Sequence, residues 1–194
     1  MMVKICGITN RDDARAAVES GASALGFNFY LKSKRYLAKA AAAELIAAAP
    51  AGVLKVGVFV NEAPVELAAE LGLDILQVHG TPAGWPGEKL WRALSVGPEF
   101  QAADLDSVEA EAYLLDAPAG GEYGGTGATF DWNLIRGLPR RIIVAGGLDG
   151  SNVERAIAVA QPWGVDACSR IESAPGKKDH RRMAAFIAAA LRAS

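Results

Sequence analysis

The chain has 194 residues, 51% of them hydrophobic and 22% charged, which is enough apolar side chain for one well-packed domain. A formal net charge of −2 offers no basic field to nucleic acid or anionic lipid, and no apolar run approaches the roughly 20 residues that span a bilayer. The opening MMVKICGITN lacks the long apolar segment of a secretion signal, and two cysteines, Cys6 and Cys168, are no disulfide framework, so the expectation is a reduced, cytoplasmic protein that handles a small molecule.

In chain order, VKICGI (3–8) predicts the first strand. NRDDARAAVESGA (10–22) predicts a helix with Asn10 as N-cap, acids in its first turn and Gly21 at its stop. ALGFNFY (24–30) is the second strand, followed by KSKRY with the cations Lys32, Lys34 and Arg35. AKAAAAELIAAAP (38–50) is nearly pure helix former, ended by Pro50. LKVGVFV (54–60) and ILQVHG (75–80) are strands three and four, with APVELAAELG (63–72) as the helix between them. Only eight residues lie between Gly80 and Lys89, so any helix there has a turn or two at most. KLWRALSV (89–96) and AYLLDA (112–117) are strands five and six. The Gly-rich GGEYGGTGAT (120–129) then reads as a mobile active-site loop. A helix over DWNLIRGLP (131–139), strand RIIVAGGL (141–148), helix GSNVERAIAVA (150–160), strand WGVDACSR (163–170) and helix KDHRRMAAFIAAALRA (178–193) complete the chain.

Most of these strands are continuous apolar stretches, as expected of strands covered on both faces in a parallel sheet. About eight strands alternate with up to eight helices, which predicts a closed (β/α)8 TIM barrel, a single compact domain over 1–194. The competing open, doubly wound sheet wants a Gly-rich dinucleotide fingerprint after strand one, and CGITN is not one.

In a barrel, chemistry sits at the C-terminal ends of strands and in the loops that follow. Strand alternation puts Lys4, Cys6 and Ile8 on one face and Val3 and Ile5 on the other, with Cys6 inward near the top. A lone cysteine is also a common core residue. Ala112, Leu114 and Asp116 share the inward face of strand six, and an aspartate closing an apolar strand needs a polar reason to be there. A thiol and a carboxyl across one mouth form a base and acid pair for moving protons. Gly146 and Gly147 end strand seven, and Ser169 and Arg170 end strand eight, where barrels most often hold phosphate. Arg35 is either a solvated cation or a bidentate partner for a substrate carboxylate. Gln77 and His79 share a face of strand four, with His79 near its top as a ligand contact or a core histidine. The two histidines share no metal-ligand spacing with Cys or acids, so no metal site is expected. Cys168 reads as a small core residue. Lys4 and Asp166 both point inward on strands that become neighbours when the barrel closes, so they are expected to form an ion pair beneath Cys6.

Taken together, KICGITN (4–10), GASALGFNFYLKSKRY (21–36), VGVFVNE (56–62), QVHG (77–80), LLD (114–116), YGGTGATFDW (123–132), AGGL (145–148) and PGKKDH (175–180) resemble the phosphoribosylanthranilate isomerase family nearly end to end. The resemblance implies a TIM barrel that carries out an Amadori rearrangement in tryptophan biosynthesis without metal or organic cofactor. It implies Cys6 as general base, Asp116 as general acid, Arg35 on the anthranilate carboxylate, and Gly146, Gly147, Ser169 and Arg170 around the phosphate. The implied partner is a phosphorylated aminosugar, handled by a monomer or homodimer with no nucleic acid or membrane involved. Where the family has a form like SSGVE, this chain has CSRIE (168–172), with Arg170 in place of the glycine. A differently specific or non-catalytic phosphosugar-binding barrel is the alternative, and it would not need Cys6 and Asp116 together.

Overall fold

Eight short strands pair side by side, all parallel and in chain order, and the eighth closes on the first to make a barrel. The computed structural model describes residues 1–85, 89–118 and 128–194. The barrel strands are β1 (Met2–Cys6), β2 (Ala24–Asn28), β3 (Leu54–Val60), β4 (Ile75–His79), β5 (Leu90–Ser95), β6 (Ala112–Asp116), β7 (Ile142–Val144) and β8 (Gly164–Ala167). The helices are α1 (Arg11–Glu19), α2 (Lys39–Ala47), α3 (Val65–Leu71), α4 (Val153–Ala160) and α5 (His180–Arg192). Local chemistry sets their ends. Asn10 Oδ1 accepts from the Asp13 N–H at the start of α1, Asp179 caps α5, and Gly72 ends α3 in the left-handed region.

The barrel and its single domain match the sequence expectation, but among the described residues the ring of helices is thinner. Residues 131–139, expected as a helix, form one 3-10 turn, Trp132–Ile135. Asp131 caps that turn, and left-handed Gly137 with Pro139 beyond it stops a further turn. A second 3-10 turn, Ala102–Leu105, follows β5. Strand eight is shorter than expected because Cys168 leaves the extended conformation, and Ser169–Ile171 wind into a 3-10 turn. Beyond it lies a two-stranded antiparallel hairpin, β9 (Glu172–Ala174) and β10 (Lys177–Lys178), absent from the sequence reading. Most of the Gly-rich stretch at 120–129 lies outside the described residues.

Strand alternation divides the core in two. Val3, Ile5, Leu25, Phe27 and Val144 face out, under the helices. Met2, Ala24, Val56, Ile75, Trp91, Ala112, Leu114 and Ile143 fill the barrel itself. Each large side chain buried this way contributes about 1.5–3 kcal/mol. Ile8 corrects the β1 alternation. It packs with the outer cluster rather than on the face of Cys6, because Gly7, at φ 72°, breaks the pleat after Cys6. Among the described residues no helix is long and apolar enough to cross a membrane.

Candidate active site

Four inward strand ends meet at the C-terminal mouth of the barrel: Cys6 from β1, Asn28 from β2, His79 from β4 and Asp116 from β6. They line one pocket with Arg35, Gln77 and Cys168. A second chamber, lined by Gly146, Gly147, Ser169 and Arg170, shares Asp116, Asp166 and Cys168 with the first. The two chambers therefore bring together every site residue expected from the sequence.

Cys6 is a buried free thiol. Beneath it, Lys4 Nζ and Asp166 Oδ1 stand 2.8 Å apart, the ion pair expected at the β1–β8 seam, in register at Lys4 and Asp166. Burial alone would lower Lys4, but the attraction of Asp166, joined by Cys6, outweighs it and keeps the ammonium charged. Gly26 on β2 makes room for this stack. A Cβ there would meet Cys6 Sγ at 3.0 Å and Lys4 Nζ at 3.1 Å. The Cys168 thiol has the largest influence on Cys6, followed by burial, which opposes it, and then the Lys4 and Lys178 ammonium groups. Together they hold Cys6 well below its ordinary value. Cys168 is raised in turn, by its interaction with Cys6 and by burial. It is thus a wall of the site, which corrects its reading as a core residue.

Asp116 is perturbed the other way. Burial raises its carboxyl to about 6, against a hydrogen bond from the Ala117 N–H, with the negative potential of Cys6 adding to the rise. Gly146, expected beside phosphate, also gives Asp116 its space, since a Cβ would lie 2.6 Å from Asp116 Oδ1. Burial pushes His79 down to about 4, so the ring is neutral at ordinary pH. Its Nε2 lies 3.1 Å from Gln77 Nε2.

The sequence reading did not anticipate the partners of Arg35. Its Nε donates to Glu172 Oε1 at 2.9 Å and its Nη2 to Glu172 Oε2 at 2.6 Å. The guanidinium is therefore held rather than solvated, and it borders the pocket with Nη1 outside this pair. Glu172 is buried. Burial would raise it, but hydrogen bonds from Arg35 and Lys178 outweigh that and lower it. Lys178, also buried, donates to Glu172 Oε1 at 2.9 Å and lies 3.8 Å from Cys168 Sγ. The β9–β10 hairpin supplies both residues. In the sequence, Glu172 closes CSRIE and Lys178 lies in PGKKDH, but neither motif pointed to Arg35. At the second chamber, Arg170 Nε donates to Asp149 Oδ2 at 2.7 Å, so this cation stands at the rim, fixed from the loop after β7.

The mouth thus offers a depressed thiol, an elevated carboxyl, a fixed guanidinium and a glycine-lined chamber. That is equipment for moving protons on an anionic substrate. The model of a protein family, N-(5'phosphoribosyl)anthranilate (PRA) isomerase, matches residues 3–189. The N-(5'-phosphoribosyl)anthranilate isomerase of Solibacter usitatus is 52% identical over 98% of this chain and 97% of its own length. A crystal structure of phosphoribosyl anthranilate isomerase from Thermotoga maritima superposes with TM-score 0.88 at 41% identity, over 99% of both chains. Another, solved with reduced 1-(o-carboxyphenylamino)-1-deoxyribulose 5-phosphate, has TM-score 0.84 at 38% identity, again over 99% of both chains.

Proposed function

The chain belongs to the N-(5'-phosphoribosyl)anthranilate isomerase family, enzymes of tryptophan biosynthesis, and from that premise we propose that Cys6 and Asp116 carry the isomerisation as base and acid. The substrate is N-(5-phosphoribosyl)anthranilate and the product 1-(2-carboxyphenylamino)-1-deoxyribulose 5-phosphate. Protonated Asp116 donates to the furanose ring oxygen. The bond from that oxygen to C1 breaks as the anilino nitrogen lone pair forms a cationic Schiff base. The cation acidifies the C2 proton, which the Cys6 thiolate removes to give an enolamine. Return of that proton to C1, and passage of the enol proton to Asp116, gives the ketone and restores both groups. Carbon C1 is reduced and C2 oxidised within one molecule, so the sum is an isomerisation and no external redox partner enters the balance.

The observation that carries this reading is the opposite perturbation of two groups facing one pocket: a thiol held low and a carboxyl held high, the directions a base and an acid require. Arg35, through the part of its fork not engaged by Glu172, binds the anthranilate carboxylate. Gly146, Gly147, Ser169 and Arg170 hold the phosphate, and His79 touches substrate as a neutral ring. The reading includes a cytoplasmic enzyme whose partner is this one small molecule.

The test is to add the aminoaldose and follow the loss of anthranilate-type fluorescence. Turnover by the native chain, with a loss of about a hundred- to ten-thousandfold in both Cys6→Ser and Asp116→Asn, is the expected result. Near-native turnover in either variant removes that residue from its role. A native chain that binds substrate without converting it would leave only a phosphosugar-binding barrel.

A further inference from the structure

Gln77 lies at the middle of β4, one pleat below His79, and lines the pocket that holds Cys6 and Asp116. It is 2% exposed, and its Oε1 has no hydrogen-bond partner. Its amide makes one contact, from Nε2 to His79 Nε2 at 3.1 Å. Turning the amide over exchanges the two atoms but still leaves one of them alone, since a single ring nitrogen serves only one side. A buried polar atom without a partner is destabilising, and the apolar residues usual in barrel interiors would avoid that cost. Position 77 therefore gains nothing for the fold from being an amide.

The position also restricts what the amide meets. Arg35, fixed by Glu172, borders this pocket and Gly146 and Gly147 line the adjoining chamber, so on the reading above the two charged ends of the substrate are already taken. Between them lies the sugar chain, which is neutral and carries hydroxyls. A carboxylate or phosphate oxygen has no hydrogen for a carbonyl to accept, whereas a hydroxyl both donates and accepts and suits either orientation of the amide.

We propose that Gln77 is a substrate-recognition residue whose free amide atom hydrogen-bonds a hydroxyl of the sugar chain on the pocket floor. This rests on the reading of the pocket as a phosphoribosylanthranilate site. Gln77→Met keeps the length and removes the polar atoms. It leaves a substrate hydroxyl unpaired and lowers kcat/KM about ten- to a hundredfold.

Loss of the contact to His79 could mimic this effect, so the same substitution is made in a His79→Ala background. A direct role predicts the loss in both backgrounds. A loss under threefold in the native background, or one that vanishes once His79 is gone, overturns the proposal. If the Met variant does not fold, Gln77→Asn, which withdraws the amide by one methylene, is read by the same criterion. A native chain that does not convert the aminoaldose instead defeats the underlying reading, so the two failures are distinct.

Discussion

Cys6 and Asp116 are displaced in opposite directions by their surroundings, and the pH dependence of the reaction follows from that. In the acid role proposed for it Asp116 would act only while protonated, and its carboxyl is raised to about 6. As pH rises through that value the acid form is lost, so kcat/KM falls on the alkaline side of about 6. In the base role proposed for it Cys6 would act only as thiolate, and it is held well below its ordinary value, so no rise in rate near the usual thiol range is expected to accompany that fall. A rate profile from pH 4.5 to 9 checks this, and a rise centred near 8.5 would show an ordinary thiol instead. Arg35→Ala removes the proposed carboxylate contact, which is worth about 1.5–3 kcal/mol, so KM is expected to rise about ten- to a hundredfold with a smaller change in kcat. Glu172 keeps the Lys178 ammonium in that variant, so the buried carboxylate is not left bare and the chain should still fold. An unchanged KM would return Arg35 to a purely structural part in the Glu172 cluster.

At the scale of elements, the β1–β8 seam joins stability to chemistry through Lys4. Its ammonium is 0% exposed and 2.8 Å from Asp166. Lys4→Met leaves a buried carboxylate without its counter-charge, which costs about 3–5 kcal/mol by urea unfolding. The same variant removes a cation from beside Cys6, so the thiol titrates higher and the acid limb of the rate profile moves to higher pH. A neutral effect on stability would mean that Asp166 accepts a proton in place of the ion pair. The β9–β10 hairpin is the other element with a double role. Its Glu172 fixes Arg35 on one side, and its Lys178 approaches Cys168 on the other. Arg35 and the thiol pair are therefore positioned from the same few residues.

For the whole molecule, closure of the ring depends on α5. It lies against α1, α4 and β1, and its Met183, Phe186 and Ile187 are all 0% exposed. At about 1.5–3 kcal/mol each, these three side chains represent about 5–9 kcal/mol, against a total stability of about 5–15 kcal/mol for a domain. A chain cut before His180 is expected to show no cooperative transition in calorimetry or urea. A sharp transition in the truncated chain would mean that the eight-stranded barrel folds without its last helix.

The sequence alone determined the barrel, its eight strands and the inward direction of Lys4, Cys6, Leu114 and Asp116. Hydrophobic runs and two-residue alternation are local properties, and strict strand–helix order leaves few ways to close a sheet. The same alternation made the Lys4–Asp166 pair legible, because closure sets β1 beside β8. The tertiary structure decided what lies between elements. Residues 131–139 read as a helix but form one 3-10 turn, since Gly137 and Pro139 end it before a core contact can extend it. Cys168 read as core but stands against Cys6, because the chain leaves the strand path at that residue. Arg35 acquired Glu172, 137 residues away, and Gly146 proved to be the space for Asp116. Such pairings depend on where distant loops come to rest at the barrel mouth. No periodicity in the chain encodes that, because loop residues are placed by closure and packing of the whole ring rather than by their neighbours in sequence.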